Sequence, residues 1–121
     1  MLNLDTHMVI FALSDEDLTP KERQILRADE WSISGIVLWE IAKLAELGRI
    51  DIDLDDPELL RILRRIHVWP ISIDVCRKIN ELDFDSDPAD EIIAATSIVH
   101  HVKLVTRDRV IRKSKLVAFA S

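Results

Sequence analysis

The sequence predicts an α/β domain whose central, mostly parallel β-sheet is flanked by α-helices in three layers. Short apolar strands alternate with helical patterns, and no long linker, repeat or low-complexity tract interrupts that alternation. A chain of 121 residues with 48% hydrophobic residues is long enough for one domain with a real core. We therefore expect residues 1–121 to form a single domain.

Capping residues mark where the predicted helices begin. Thr19 and Ser34 are hydroxyl caps, and Asp56 and Asp87 each stand directly before a proline at the first helical position. The predicted strands lie near residues 2–5, 31–33, 67–71, 103–106 and 116–119. The predicted helices cover residues 6–13, 34–48, 56–66 and 109–112, and three more begin at Thr19, Ser72 and Asp87.

Four carboxylates stand where a charge contributes little to folding: Asp5, Glu40, Asp90 and Asp108. Asp5 and Asp108 follow predicted strands, and parallel sheets bind ligands at the carboxyl ends of their strands. Taken singly, Asp5 and Asp90 also fit helix capping, and Asp108 also fits a surface acid between arginines. Their joint occurrence favours a cation site, because converging carboxylates repel one another.

Glu40 is the acid that is hardest to explain by folding alone. It shares a predicted helical face with apolar residues at three- and four-residue spacings, namely Ile36, Val37, Leu44 and Leu47. An unpaired charge on a packed apolar face is costly. A carboxylate at this position therefore indicates a ligand more strongly than the other three do.

Charge is divided unevenly along the chain. The net charge is −6, but residues 1–60 carry −9 and residues 61–121 carry +3. Six cations lie in the segment Lys103–Lys115 around the single acid Asp108. Such a segment is suited to holding a polyanion beside a metal ion. The candidate contacts to such a polyanion are Arg107, Arg109, Arg112 and Lys113.

Cysteine content and hydropathy exclude several other classes of protein. The single cysteine, Cys76, excludes an intramolecular disulfide, and its place in an apolar stripe predicts a core position. No apolar run is long enough to span a bilayer, and Asp5 and His7 interrupt the first apolar stretch before a signal peptide could form. We expect a cytoplasmic protein without membrane contact. His7 itself faces either the acidic site or solvent.

Four segments together resemble the motifs of the PIN-domain family, in the family's order and across essentially the whole chain. They are Leu4-Asp5-Thr6-His7, Ser34 through Ile41, Asp87-Pro88-Ala89-Asp90 with Ile93-Ala94-Ala95, and Leu104 through Asp108. In its compact length and in the sequence Leu-Trp-Glu-Ile, the chain resembles VapC-type toxins of toxin–antitoxin pairs. The resemblance implies a PIN-like fold and a metal-dependent endoribonuclease that is held inactive by a VapB-type antitoxin and is usually a homodimer.

Carried over position by position, the resemblance implies roles for individual residues. Asp5, Glu40, Asp90 and Asp108 are implied to be catalytic and to bind Mg²⁺ or Mn²⁺, which prefer oxygen ligands. Thr6, Ser34, Asp87 and Thr106 are implied to support them from a second shell. Glu91 departs from the family pattern, since many relatives have arginine there, and helical geometry predicts that it points away from the metal.

Two alternatives within the same fold stay open, namely a catalytically idle PIN-like binding module and a solitary RNA-processing nuclease. A phosphatase or receiver domain would also be α/β. Asp5-Thr6-His7, however, lacks the second acid that such a phosphatase uses two residues later. The paired early acids and the late lysine of a receiver are not found either.

Overall fold

The chain forms a four-stranded sheet and six α-helices. The computed structural model covers residues 1–121. The strands are β1 (Leu2–Leu4), β2 (Trp31–Ser34), β3 (His67–Trp69) and β4 (Lys103–Val105). The helices are α1 (Thr6–Ser14), α2 (Pro20–Arg27), α3 (Gly35–Glu46), α4 (Pro57–Leu63), α5 (Ile73–Ile79) and α6 (Pro88–His100), and a 3₁₀ helix spans Ile111–Lys113.

The sheet is parallel throughout, with strand order β3-β2-β1-β4. This arrangement confirms the predicted α/β fold. The first and last strands in the sequence are neighbours, with Leu4 paired to Val105. Parallel strands end at the same edge of a sheet, so the residues that follow β1 and β4 meet there.

Helices cover the sheet on both faces. Asn3 is fully buried, and its Nδ2 donates to the Ile93 carbonyl and to Ser97 Oγ of α6. Successive side chains of a strand point to opposite faces. Leu2 and Leu4 therefore face away from α6, where they join the hydrophobic core. Pro88–His100 thus packs against β1, and Ile93 and Ala94 of this helix belong to the same apolar cluster as Leu2 and Leu4.

The predicted helix starts are confirmed by their capping contacts. Thr19 Oγ1 accepts from the Glu22 amide at 3.1 Å, while the Glu22 carboxylate accepts from the Thr19 amide at 2.9 Å. Ser34, Asp56, Ser72 and Asp87 also cap the helices that follow them. Each cap satisfies an amide that the first turn of a helix leaves without a partner.

Several predicted boundaries were wrong. The helix from Asp56 ends at Leu63, short of residue 66, and the following strand ends at Trp69. The predicted helix at 109–112 is a single 3₁₀ turn. The predicted strand at 116–119 makes only one parallel bridge, between Leu104 and Phe119.

Cys76 is exposed, so its predicted core position was wrong. Its neighbour Val75 is fully buried instead. The two residues are consecutive on a short helix, where they point about 100° apart. No helix of the structure combines the length and the apolar character needed to cross a membrane.

Candidate active site

A cavity of about 430 Å³ brings the four predicted acids together. Asp5 follows β1 and Asp108 follows β4, so the cavity lies at the carboxyl edge of the sheet. Its lining residues are Asp5, Thr6, His7, Met8, Phe11, Glu40, Asp87, Asp90, Arg107 and Asp108. Five of these ten are carboxylates, which makes the cavity strongly negative. Residues more than one hundred positions apart in the sequence thus meet in one place.

Asp5 is held by hydrogen bonds to both carboxylate oxygens. Oδ1 accepts from the Met8 amide at 2.9 Å, which caps α1, and Oδ2 accepts from the Thr106 hydroxyl. Only 7% of Asp5 is exposed. Burial raises the pKa of its carboxyl group, and the nearby charge of Asp108 raises it further, whereas the two hydrogen bonds lower it. Asp5 thus caps a helix, as its alternative interpretation predicted, and also lines the cavity.

Thr106 connects Asp5 to Asp108. Its hydroxyl donates to Asp5 and accepts from the Asp108 amide at 3.0 Å. Asp108 Oδ1 accepts from the amides of Val110 and Ile111, both at 2.9 Å, at the turn that leads into the 3₁₀ helix. Asp108 Oδ2 has no hydrogen-bond partner in the protein. Backbone amides therefore fix the orientation of the carboxylate while one oxygen stays free for a ligand.

Glu40 lies across the cavity on α3. Its Oε1 accepts from the hydroxyl of Thr6, so this residue of α1 supports it. Glu40 is half-buried and Val37, on the same face, is fully buried. Leu47 is 54% exposed, so the packed apolar face predicted around Glu40 does not continue to the end of the helix.

Asp90 lies in the first turn of α6 and is held by the two residues that directly precede the helix. Its amide donates to Asp87 Oδ1 at 3.0 Å, and its own Oδ2 accepts from Ser86 Oγ at 3.0 Å. Burial raises the pKa of Asp90 to about 6, and the charges of Asp87, Asp108 and Glu40 contribute in the same direction. These three acids are therefore close enough to Asp90 to disfavour its ionised form.

The donor set fits a hard divalent cation, but not as a closed cage of direct ligands. No group of three or more His, Cys, Asp and Glu side chains is arranged so that it could hold a metal ion. Mg²⁺ commonly keeps several waters and takes only one or two carboxylates directly. Oxygen donors around a cavity of this size, with one carboxyl pKa raised by its acidic neighbours, suit such a partly hydrated ion.

The predicted supporting and RNA-contacting residues are distributed unevenly around the cavity. Thr6, Asp87 and Arg107 line it, and Thr106 contacts two of its acids. Ser34 does not line it, and its hydroxyl accepts from the Ile36 amide as a helix cap.

The other three predicted RNA contacts lie outside the lining. Arg112 donates to the Thr106 carbonyl at 2.9 Å and lies over the Phe119 ring. The side chains of Arg109 and Lys113 are exposed and make no hydrogen bond or ion pair within the protein, as is also true of Lys103 and Lys115 in the same segment. Arg109 and Lys113 therefore stay available to a ligand but are not singled out from the other lysines of the segment.

Some lining residues were missed by the sequence-based prediction or left open by it. His7 lines the cavity and is also exposed, so both of its alternatives hold. Phe11 lies four residues after His7 on α1, a spacing that predicts a shared face. Ser86, which donates to Asp90, lies one residue before the cap of α6 and has no pattern of its own. Glu91 does not line the cavity, as predicted.

Comparison with known proteins assigns the chain to a family. The family model of the PIN domain matches residues 3–115. The chain belongs to the PIN-domain family. A curated member of similar sequence is Ribonuclease VapC22 of Mycobacterium tuberculosis, which is 30% identical over 118 residues and is matched across 93% of this chain and 90% of the relative.

Solved structures share the PIN fold at lower identity. The VapBC2 complex of Rickettsia felis, bound to a DNA fragment from its promoter, has a TM-score of 0.72 at 19% identity, covering 98% of this chain and 97% of that one. FitAcB of Neisseria gonorrhoeae has a TM-score of 0.71 at 21% identity, covering 100% and 97%. A toxin–antitoxin complex of Klebsiella pneumoniae has a TM-score of 0.66 at 22% identity, covering 89% and 87%.

Proposed function

We propose that this PIN-domain protein is a Mg²⁺- or Mn²⁺-dependent endoribonuclease and the toxin of a VapBC-type toxin–antitoxin pair. The observation that carries the proposal is the meeting of Asp5, Glu40, Asp90 and Asp108 in one cavity of a PIN domain. The ribonuclease name of the relative from M. tuberculosis supports the activity. A VapB-type antitoxin partner is supported by the similarity to solved toxin–antitoxin complexes, and a homodimer is part of the same proposal.

The four acids would hold the ion and orient the water that attacks the phosphate. When bound, the ion supplies a more acidic water and offsets negative charge that develops on the phosphate. Oδ2 of Asp108 is free to bind a ligand. Thr106 and the Met8 amide hold Asp5 in place. Thr6 fixes Glu40 in the same way. Because backbone amides and hydroxyls set these orientations before substrate binds, little reorganisation is needed.

Hydrolysis without a covalent enzyme intermediate is part of the same proposal, because a water activated by the bound ion would be the nucleophile. The cavity contains no cysteine, serine or lysine, and its one threonine hydroxyl donates to Glu40. Burial and acidic neighbours raise the pKa of Asp90 to about 6 in the metal-free protein, so binding of a cation near neutral pH is expected to favour the ionised form of Asp90.

Cleavage of single-stranded RNA by the purified protein tests the proposal. We expect cleavage with Mg²⁺ or Mn²⁺ and none in EDTA. Glu40→Gln should reduce the rate by at least about a hundredfold, because the charge that attracts the ion is lost while the shape is kept. Glu46→Gln is a matched control, since Glu46 lies on the same helix, is exposed and pairs only with Lys43.

Each result has a separate meaning. Undiminished cleavage in EDTA would refute metal dependence. Equal rates for Glu40→Gln and Glu46→Gln would remove Glu40 from the site. Metal binding without any cleavage would favour the idle binding module over the nuclease. Cleavage without an antitoxin encoded beside the gene would favour the solitary RNA-processing enzyme.

A further inference from the structure

Arg107 is the one lysine or arginine among the ten residues that line the acidic cavity. An arginine beside five carboxylates would ordinarily pair with one of them. Arg107 instead pairs with Glu22 of α2, which does not line the cavity. Its Nε donates to Glu22 Oε2 and its Nη2 to Glu22 Oε1, both at 2.7 Å. The guanidinium group is thus held at the rim of the acid cluster without joining it.

Three further contacts make this position rigid. Nη2 also donates to the carbonyl of Asp17, and the guanidinium lies 4.4 Å from the centroid of the Phe11 ring. Glu22 is fixed in turn, because its Oε1 accepts from the Thr19 amide at 2.9 Å. Its side chain is only 16% exposed, and the hydrogen bonds from Arg107 lower the pKa of Glu22 to about 2. Glu22 therefore stays ionised throughout the physiological range.

The donors that remain on Arg107 indicate what it can bind. A guanidinium group has five N–H donors. Nε has given its single hydrogen and Nη2 both of its hydrogens to Glu22 and Asp17, whereas Nη1 makes no hydrogen bond in the protein. The two donors of Nη1 are thus left without a protein partner on a residue that lines the cavity, while Glu22 shares the guanidinium charge.

We propose that Glu22 is a positioning residue that keeps Arg107 from pairing with the site acids and so reserves Nη1 of Arg107 for a phosphate of the RNA. The inference rests on the proposed nuclease function. A side chain whose other donors are already fixed loses little conformational entropy when its last edge binds. A phosphate entering a cavity with five carboxylates also needs hydrogen-bond donors that those carboxylates have not taken. Glu22 provides both conditions from outside the cavity.

Glu22→Gln tests this role, because glutamine can keep the helix-capping contact but has no charge to hold Arg107. Binding is measured in EDTA by the fluorescence anisotropy of a short labelled single-stranded RNA. Removing a negative charge from the surface alone would tighten RNA binding. If Glu22 positions Arg107, binding instead weakens by about tenfold, as expected for one lost charge-assisted hydrogen bond. The direction of the change in RNA affinity therefore distinguishes a positioning role of Glu22 from a purely electrostatic effect of its charge.

The metal site provides an independent measurement. In Glu22→Gln, the released Arg107 competes for the site acids, so Mn²⁺ affinity measured by calorimetry should fall several-fold. Adding Arg107→Met removes the competitor. Mn²⁺ affinity should then return to at least the wild-type value, whereas RNA binding stays weak. A general loss of stability would not restore Mn²⁺ affinity while leaving RNA binding weak.

Thr19→Ala is the matched control, because it removes the hydroxyl cap of α2 without changing the ion pair. It should lower the melting temperature while leaving RNA and Mn²⁺ binding at wild-type values. Unchanged or tighter RNA binding by Glu22→Gln, or the same losses in Thr19→Ala, would overturn the inference. Failure of the nuclease proposal would look different, since the wild-type protein would then cleave no RNA although the change in RNA binding could still be measured.

Discussion

Asp90→Asn should stabilise the metal-free protein although it removes a proposed catalytic group. Burial and neighbouring acids raise the pKa of Asp90 from 3.8 to about 6. That difference corresponds to an upper bound of about 3 kcal/mol of destabilisation once the group is ionised. Asp90 is only partly buried, so solvent screening reduces the expected effect to about 1 kcal/mol. Asparagine keeps an oxygen that can accept from Ser86 and has no charge to repel Asp87 or Asp108.

The sign of the effect depends on pH. Because the pKa is raised in the folded state, the native protein holds this proton more tightly than the unfolded chain. The resulting stability is fully present below the unfolded pKa of about 3.8 and is lost as pH rises through about 6. Asp90→Asn should therefore match wild type near pH 4 and exceed it near pH 8. A difference of about 1 kcal/mol in a domain of this size raises the melting temperature by about 4 °C.

Thermal melts in EDTA across this pH range provide the measurement. Asp85→Asn is the control, because Asp85 is a nearby exposed acid without a hydrogen-bond partner, and it should change little at any pH. Excess Mn²⁺ should stabilise wild type more than Asp90→Asn, because metal that binds only the native state raises its stability. Asp90 carries no such repulsion if Asp90→Asn melts at or below wild type near pH 8 in EDTA, and it contributes nothing to metal binding if Mn²⁺ shifts both proteins equally.

Two further predictions concern surfaces beside the site. Replacing both Arg109 and Lys113 by alanine should weaken RNA binding and reduce its salt dependence by a slope of roughly one per lost phosphate contact, measured by titration at several salt concentrations. An unchanged slope would leave both as ordinary surface cations. Trp39 is 61% exposed on α3. Trp39→Ser should therefore shift the proposed homodimer toward monomer, as measured by sedimentation velocity. An unchanged sedimentation coefficient would place the dimer contact elsewhere.

The sequence was sufficient for the fold and for the four acids that meet in the cavity. Helix caps are local, so Thr19, Ser34 and Asp87 could be identified without knowledge of the tertiary structure. The grouping of Asp5 with Asp108 followed from the rule that parallel strands present their carboxyl ends at one edge.

Properties that depend on long-range packing could not be predicted in the same way. Glu22 was identified only as part of a capping box, because its pairing with Arg107 joins residues far apart in the sequence. Cys76 belongs to a helix of seven residues, in which only Val75 is fully buried, and a short helix has too few apolar positions to define its buried face. The strand predicted at residues 116–119 was also wrong, because only Phe119 of that segment makes a bridge, to Leu104.

The order of strands in the sheet also determines when the cavity can exist. Asp5 is made early, but its hydroxyl partner Thr106 and the neighbouring Asp108 come from the segment that follows the last strand. β4 is synthesised last of the four strands, and the acid cluster is incomplete until β4 docks beside β1. A nascent chain that has not yet made β4 therefore contains only part of the site. A nuclease with this topology cannot act on the RNA around the ribosome until nearly all of its domain has been synthesised and folded.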